Sequence, residues 1–250
     1  MVPLTLRHRR STLAVCCAFA LVGGLTAGSC AESAPAPRPA APPRERVRAG
    51  PLLDRTAGRL TVGDAASRVR VQLATLPGLM YRISTAAESG VEPVVSARAG
   101  RVTVRLRATG SDGLDELRIV LNREVRWDIR LPAGAGEQQL NLRGGRVSRV
   151  ELGGSGLVEM WLPDPAGTVP VTFAGGAGSV LLAAEGRAPF RIRLDRGAGS
   201  VETPWTVNNG TAAGRILREP GWARAADRYA VRARGGLGTL LLRRLHPAAR

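Results

Sequence analysis

A Gly-x-Gly motif recurs along this chain at nearly fixed spacing: Gly134-Ala-Gly136, Gly154-Ser-Gly156, Gly176-Ala-Gly178, Gly197-Ala-Gly199 and Gly236-Leu-Gly238. The steps are 20, 22 and 21 residues, then 39, close to twice the others. A unit of about 21 residues cannot bury an apolar face alone, so it must stack on copies of itself. At roughly 3.3 Å per strand residue, that length allows three short strands and tight corners, one rung of a β-solenoid. Glycine at such corners reaches φ > 0 and lets stacked backbones approach closely. The last four copies run on into apolar strands, at Leu157-Val158, Ser179-Val180, Ser200-Val201 and Thr239-Leu240.

The rest of the body alternates apolar and polar residues with period two. Val69, Val71 and Leu73 alternate with Arg68, Arg70 and Gln72, and Val102, Val104 and Leu106 with Arg101, Thr103 and Arg105. Val125, Trp127, Ile129 and Leu131 alternate with Arg126, Asp128 and Arg130, and Phe190, Ile192 and Leu194 with Arg191 and Arg193. Each such strand has one apolar face and one arginine-bearing face, the pattern of a half-buried sheet. With 31 glycines, 17 prolines and 4% aromatics, the composition suits short strands and many turns. The expected fold is all-β: a single-domain β-solenoid over residues 51–245.

Several chemistries are excluded by inventory. The two histidines, His8 and His246, stand near opposite ends, and the three cysteines, Cys16, Cys17 and Cys30, all precede the body. A histidine triad, a thiolate metal site and a body disulfide therefore have no residues to build them, and neither metal nor cofactor is expected. Calcium-binding β-rolls place Asp where Gly175-Gly-Ala-Gly-Ser-Val180 and Gly153-Gly-Ser-Gly-Leu-Val158 place Val. A P-loop needs Lys, and the chain has none: all 36 basic residues are Arg. They give a net charge of +16 but are spread singly, without the clustering and interleaved aromatics of a nucleic-acid surface, so nucleic acid is not an expected partner.

The N-terminus carries an address. Arg7-His-Arg-Arg10 is followed by the apolar run Thr12–Leu25, too short and too rich in small residues for a membrane span but suited to a secretory signal. Leu25-Thr-Ala-Gly-Ser-Cys30 resembles a bacterial lipobox, with Ala27 where the pattern prefers Leu. That resemblance implies a signal peptide over residues 1–29 and lipid attachment at Cys30, with plain cleavage near Ser29 or Ala31, or an uncleaved anchor, as the alternatives. Pro35, Pro37, Pro39, Pro42 and Pro43 then mark a flexible linker over residues 30–50. Its stretch from Ala31 to Ala49 would extend roughly 60 Å at about 3.1 Å per residue. Tether and spacer together predict an exported, lipid-anchored protein on the outer face of the cell membrane.

The body from Leu60 to Leu245 resembles the toast-rack group of bacterial envelope β-solenoids, which includes domains of cell-wall-active-antibiotic response proteins. The residues carrying the resemblance are Val125-Arg-Trp-Asp-Ile-Arg-Leu-Pro-Ala-Gly-Ala-Gly136 and Leu162-Pro-Asp-Pro-Ala-Gly-Thr-Val-Pro-Val171. With them go Gly175-Gly-Ala-Gly-Ser-Val180, Pro189-Phe-Arg-Ile192 and Gly221-Trp-Ala-Arg-Ala-Ala-Asp-Arg-Tyr229 before Gly235-Gly-Leu-Gly-Thr239. The resemblance implies a non-enzymatic envelope domain used in scaffolding, adhesion or stress sensing. That group shares no catalytic residues, so it implies no catalytic site here.

Three sets of side chains remain as candidates. Asp112, Asp115 and Glu116, with Glu151 and Glu159, are the carboxylates a polysaccharide-acting β-helix enzyme would use, although Gly110-Ser-Asp-Gly113 reads as a turn. Among Trp127, Trp161, Trp205 and Trp222, alternation assigns Trp127 to the core and leaves Trp205 and Trp222 in loops, as end caps or sugar platforms. Arg126 and Arg130, and Arg191 and Arg193, form outward rows that could pair with an anionic envelope polymer. Removing Arg7, Arg9 and Arg10 with the leader lowers the charge only from +16 to +13. The expected partners are the membrane, through the lipid, and such a polymer or another envelope protein.

Overall fold

The computed structural model describes residues Glu45–Leu245. Cys30, the leader and His246 lie outside the described residues. The chain opens with β1 (Arg46–Pro51) and a first coil of β2 (Ala57–Val62) and β3 (Ala66–Ala74). After β4 (Leu79–Thr85) and β5 (Val91–Arg98) comes a second coil of β6 (Arg101–Ala108) and β7 (Glu116–Asn122). Three coils follow in succession: β8 (Arg126–Leu131) with β9 (Ala135–Asn141), β10 (Arg146–Leu152) with β11 (Ser155–Leu162), and β12 (Thr168–Phe173) with β13 (Ala177–Ala184). A sixth, β14 (Phe190–Leu194) with β15 (Ala198–Thr203), leads to β16 (Thr206–Thr211) and β17 (Arg215–Arg218). The last coil is β18 (Arg228–Ala233) with β19 (Leu237–Arg244).

These strands make two sheets. Sheet I runs β1-β4-β7-β3-β9-β11-β13-β19-β15-β16, and sheet II runs β17-β14-β18-β12-β10-β8-β2-β6-β5. Every coil sends one strand to sheet II and the next to sheet I, and neighbouring coils pair in parallel. The fold is all-β, as the alternation predicts, but each coil has two strands of 5–9 residues and not three. The alternating runs are long enough that one strand and its corner consume half of the 21-residue unit. The folded body also begins earlier than residue 51, because Arg46–Pro51 pairs antiparallel with β4.

Order along the stack differs from order along the chain at both ends. The second coil lies outside the first, β7 on the flank of β3 and β6 on the flank of β2. The last coil fills a slot: β18 lies between β12 and β14, and β19 between β13 and β15. The 39-residue step is thereby explained. The chain leaves the stack to form β16 and β17, then returns, so Leu237 stands in register with both Ala177 and Ala198. The end strands β1, β5, β16 and β17 all pair antiparallel, closing a parallel stack that would otherwise offer templates for further strands.

Between the sheets, aliphatic side chains line up coil by coil. Val71, Leu140, Met160, Leu182 and Leu242 form one buried row from sheet I, and Leu60, Ile129, Val150, Val171, Val231 and Ile192 one from sheet II. Each fully buried aliphatic of this size contributes about 1.5–3 kcal/mol. Trp127 is fully buried, and its indole N–H donates to the Asn122 carbonyl at 2.9 Å. One row contains an exception. Gln138 occupies the position held by Val69, Val158 and Val180 on neighbouring strands, is fully buried, and has no partner for its Oε1.

The glycine repeat has a clear physical cause. Of the ten motif glycines, only Gly134 and Gly197 have positive φ. The second glycines instead stack backbone on backbone. A Cβ on Gly136 would stand 2.8 Å from the Ser67 carbonyl oxygen, on Gly156 3.1 Å from that of Gly136, and on Gly178 2.6 Å from that of Gly156. On Gly199 it would stand 2.7 Å from the Gly238 carbonyl oxygen. Close approach, more than conformational freedom, fixes this ladder.

Candidate binding faces

The outer side chains of each sheet form rows running across the coils. Among the candidate carboxylates, Glu116 faces three arginines: Arg118 at 2.6 Å, and Arg68 and Arg70 each at 3.4 Å. Arg68 reaches across β3 to Glu137 at 2.5 Å. Burial works to raise the Glu116 carboxyl, but the Arg118 hydrogen bond with the charges of Arg70 and Arg68 holds it below the usual carboxylate range. A general acid must keep its proton near neutrality, so this shift runs the wrong way for that role. Asp112 lies exposed in the loop before β7, and the Asp115 carbonyl accepts the Arg68 N–H. Glu151 stands in register with Arg130, and Glu159 meets the Gln139 amide at 3.4 Å. A cleft of about 170 Å³ is lined by Tyr81, Met80, Arg55, Arg98 and Arg101 among others and by no carboxylate. The structure does not gather the five candidate acids into one groove.

The arginine rows divide into two kinds. Arg130 grips Asp128 through Nε and Nη2, both at 3.0 Å, and Arg59 reaches the same carboxylate at 2.9 Å. Burial would raise Asp128, but the hydrogen bond and charge of Arg130, joined by Arg59, keep it low. Arg193 and Arg232 share Asp195 in the same way, each at 2.7 Å. Arg126 donates to the Ala166 carbonyl at 3.2 Å. Arg191 instead stacks over Trp222, its guanidinium carbon 4.5 Å from the ring centroid.

Trp222 gathers more than Arg191. Arg228 lies 4.4 Å and Arg218 5.9 Å from the same centroid, and the indole N–H donates to the Tyr229 carbonyl at 2.8 Å. Tyr229 is itself buried, stacked on Phe190 at 4.8 Å, and its hydroxyl donates to the Pro163 carbonyl. Burial pushes that phenol far above its ordinary range. Arg218 carries no motif that marks it in the sequence, and Arg228 is marked only as part of the Gly221–Tyr229 run. Arg191 meets Arg218 only through the antiparallel register of β14 and β17. Trp205 packs half-buried against the core in the β15–β16 turn, an end cap.

Sheet I departs from the expectation of an arginine-bearing outside. From β9 to β15 its first outer row reads Glu137, Leu157, Ser179, Thr239 and Ser200, and its second Gln139, Glu159, Leu181, Leu241 and Glu202. Neither row holds an arginine. Arginine is confined to other parts of the surface.

No protein-family model matches the chain, and no curated protein matches it in sequence. Among solved structures, it is similar to a candidate cell adhesion protein from Clostridium sporogenes, with 16% identity and a TM-score of 0.65. That match covers 81% of this chain and all of the other. A candidate adhesin from Bacteroides fragilis covers 81% of this chain and 97% of its own, with 11% identity and a TM-score of 0.26, too low to bear on the fold. The likeness to the Clostridium sporogenes protein is one of fold: the chain is an all-β stack, as its alternation implies.

Proposed function

We propose that this protein is an exported, non-catalytic envelope module, anchored through a lipid on Cys30, that binds or scaffolds other envelope components in the manner of an adhesin. The observation that carries the reading is the form of the stack. Seven parallel coils present two broad outer faces; of the five candidate carboxylates Glu116 is taken up by three arginines, and the others are not gathered with it into one groove. Such a surface recognises extended partners and does not enclose a small substrate. The leader, the lipobox-like Leu25–Cys30 and the proline-rich spacer supply the address, and the fold likeness to a candidate cell adhesion protein agrees with the role.

The test is metabolic labelling with radioactive palmitate in a bacterium that processes lipoproteins. Wild-type protein takes up label and sediments with membranes, whereas Cys30→Ala does neither. An unlabelled wild-type protein that is found soluble outside the cell removes the anchor from the account.

A further inference from the structure

We infer that Arg191, Arg218 and Arg228, arranged around Trp222, form a binding site for a phosphate group. β14 brings Arg191 opposite Arg218 of β17, a like-charged cross-strand pair that is unfavourable by itself. On its other side β14 pairs with β18, whose first residue is Arg228. All three guanidinium carbons lie 4.4–5.9 Å from one indole centroid.

The cluster gathers three arginines on one indole without a counter-ion. On the same sheet, Arg59 and Arg130 share Asp128, and Arg193 and Arg232 share Asp195. Among the described residues, Arg191, Arg218 and Arg228 form no salt bridge. The nearby acids are committed: Glu219 to Arg244 at 2.7 Å and to the Phe190 N–H at 2.9 Å, and Asp227 to the Gly167 N–H at 2.6 Å. At Asp128 and at Asp195 two arginines converge on a carboxylate; here three converge on none.

The cluster is also held in place. Arg228 donates through Nε to Thr168 Oγ1 at 2.8 Å and through Nη1 to the Trp222 and Ala223 carbonyls at 3.1 and 3.2 Å. The indole is pinned by its bond to the Tyr229 carbonyl. Trp222 and Arg228 are therefore held, while among the described residues the guanidinium groups of Arg191 and Arg218, near the same ring, make no hydrogen bond. Several planar guanidinium forks around one point suit an anion with more than two oxygens, and phosphate supplies them. The site is half-exposed, so it can admit a phosphate within a chain as readily as a free one.

The site names a ligand class for the binding module proposed above, and its test is separate from the test of the anchor. Full-length protein is titrated at constant ionic strength with inorganic phosphate and with a synthetic polyphosphate, following tryptophan emission and heat. Saturable binding is expected for both, tighter for polyphosphate if chain-borne phosphate is the natural source and equal per phosphate if free phosphate is. Arg191→Gln with Arg218→Gln weakens it at least about tenfold. Arg59→Gln with Arg130→Gln, an equal loss of charge on the same sheet, changes it by less than about twofold. Trp222→Phe retains binding but loses much of the emission response. The site is overturned if chloride reproduces the response, if neither titrant binds, or if the two double variants weaken binding equally. A negative result alongside intact palmitate labelling removes the site and leaves the anchored module standing.

Discussion

Gly178→Ala puts the glycine ladder under direct strain. In an ordinary strand, replacing glycine by alanine gains about 0.5–1 kcal/mol, because alanine loses less backbone freedom on folding. At Gly178 the added Cβ would stand 2.6 Å from the Gly156 carbonyl oxygen, whereas ordinary contact begins at 3.4 Å. The obstacle is backbone, so relief requires β11 and β13 to separate or shear by most of an ångström along a parallel ladder. Overpacking of this kind costs about 1–3 kcal/mol, outweighing the propensity gain. For a domain of this size, 1 kcal/mol corresponds to roughly 2–4 °C, so Tm falls by about 2–10 °C. Gly236→Ala is the matched control: same motif, no positive φ, and nothing within 4 Å of the new Cβ. It leaves Tm unchanged or slightly raised. Calorimetry on both variants decides the matter, and a Gly178→Ala protein as stable as Gly236→Ala would refute backbone contact as the cause of the repeat.

Two further perturbations follow from the interior and the surface. Gln138→Leu removes a buried amide whose Oε1 lacks a partner and restores the apolar row, so it raises the urea midpoint by about 1–2 kcal/mol of stability. A lowered midpoint would mean that the amide is satisfied in solution. Acid should act through Glu116 and Asp128, whose carboxyls are held low in the folded protein. A depressed carboxyl stabilises fully above its unfolded pKa of about 4 and loses that contribution as pH falls through the folded value. Denaturation midpoints are therefore flat from about pH 7 to 5 and drop below about pH 4, and Asp128→Asn shallows the drop.

Much of the fold was legible because its cause is local. Period-two alternation places Val69, Val71 and Leu73 inward and their arginine neighbours outward, and the same count assigns Trp127 to the core. The glycine period was visible because each coil must clear the backbone of the next. Strand number per coil was not, since 21 residues accommodate either two longer strands or three short ones. The slotting of β18–β19 between earlier coils was hidden as well, because a one-dimensional repeat does not record the order in which its copies stack. The Trp222 cluster escaped for a related reason. Its arginines come from β14, β17 and β18 and meet only once the registers of those strands are set.

Both outer faces depend on the last coil occupying its slot, and engineered disulfides test this directly. With Cys16, Cys17 and Cys30 replaced by Ser, the body contains no competing thiol. Glu202 and Leu241 are register partners on adjacent strands β15 and β19, within the range a disulfide spans. Leu181 on β13 shares the row but is separated from Glu202 by β19. Mild oxidation should cross-link Glu202→Cys with Leu241→Cys and leave Glu202→Cys with Leu181→Cys reduced; the reverse pattern would mean that β13 and β15 are neighbours and that the inserted coil is wrong.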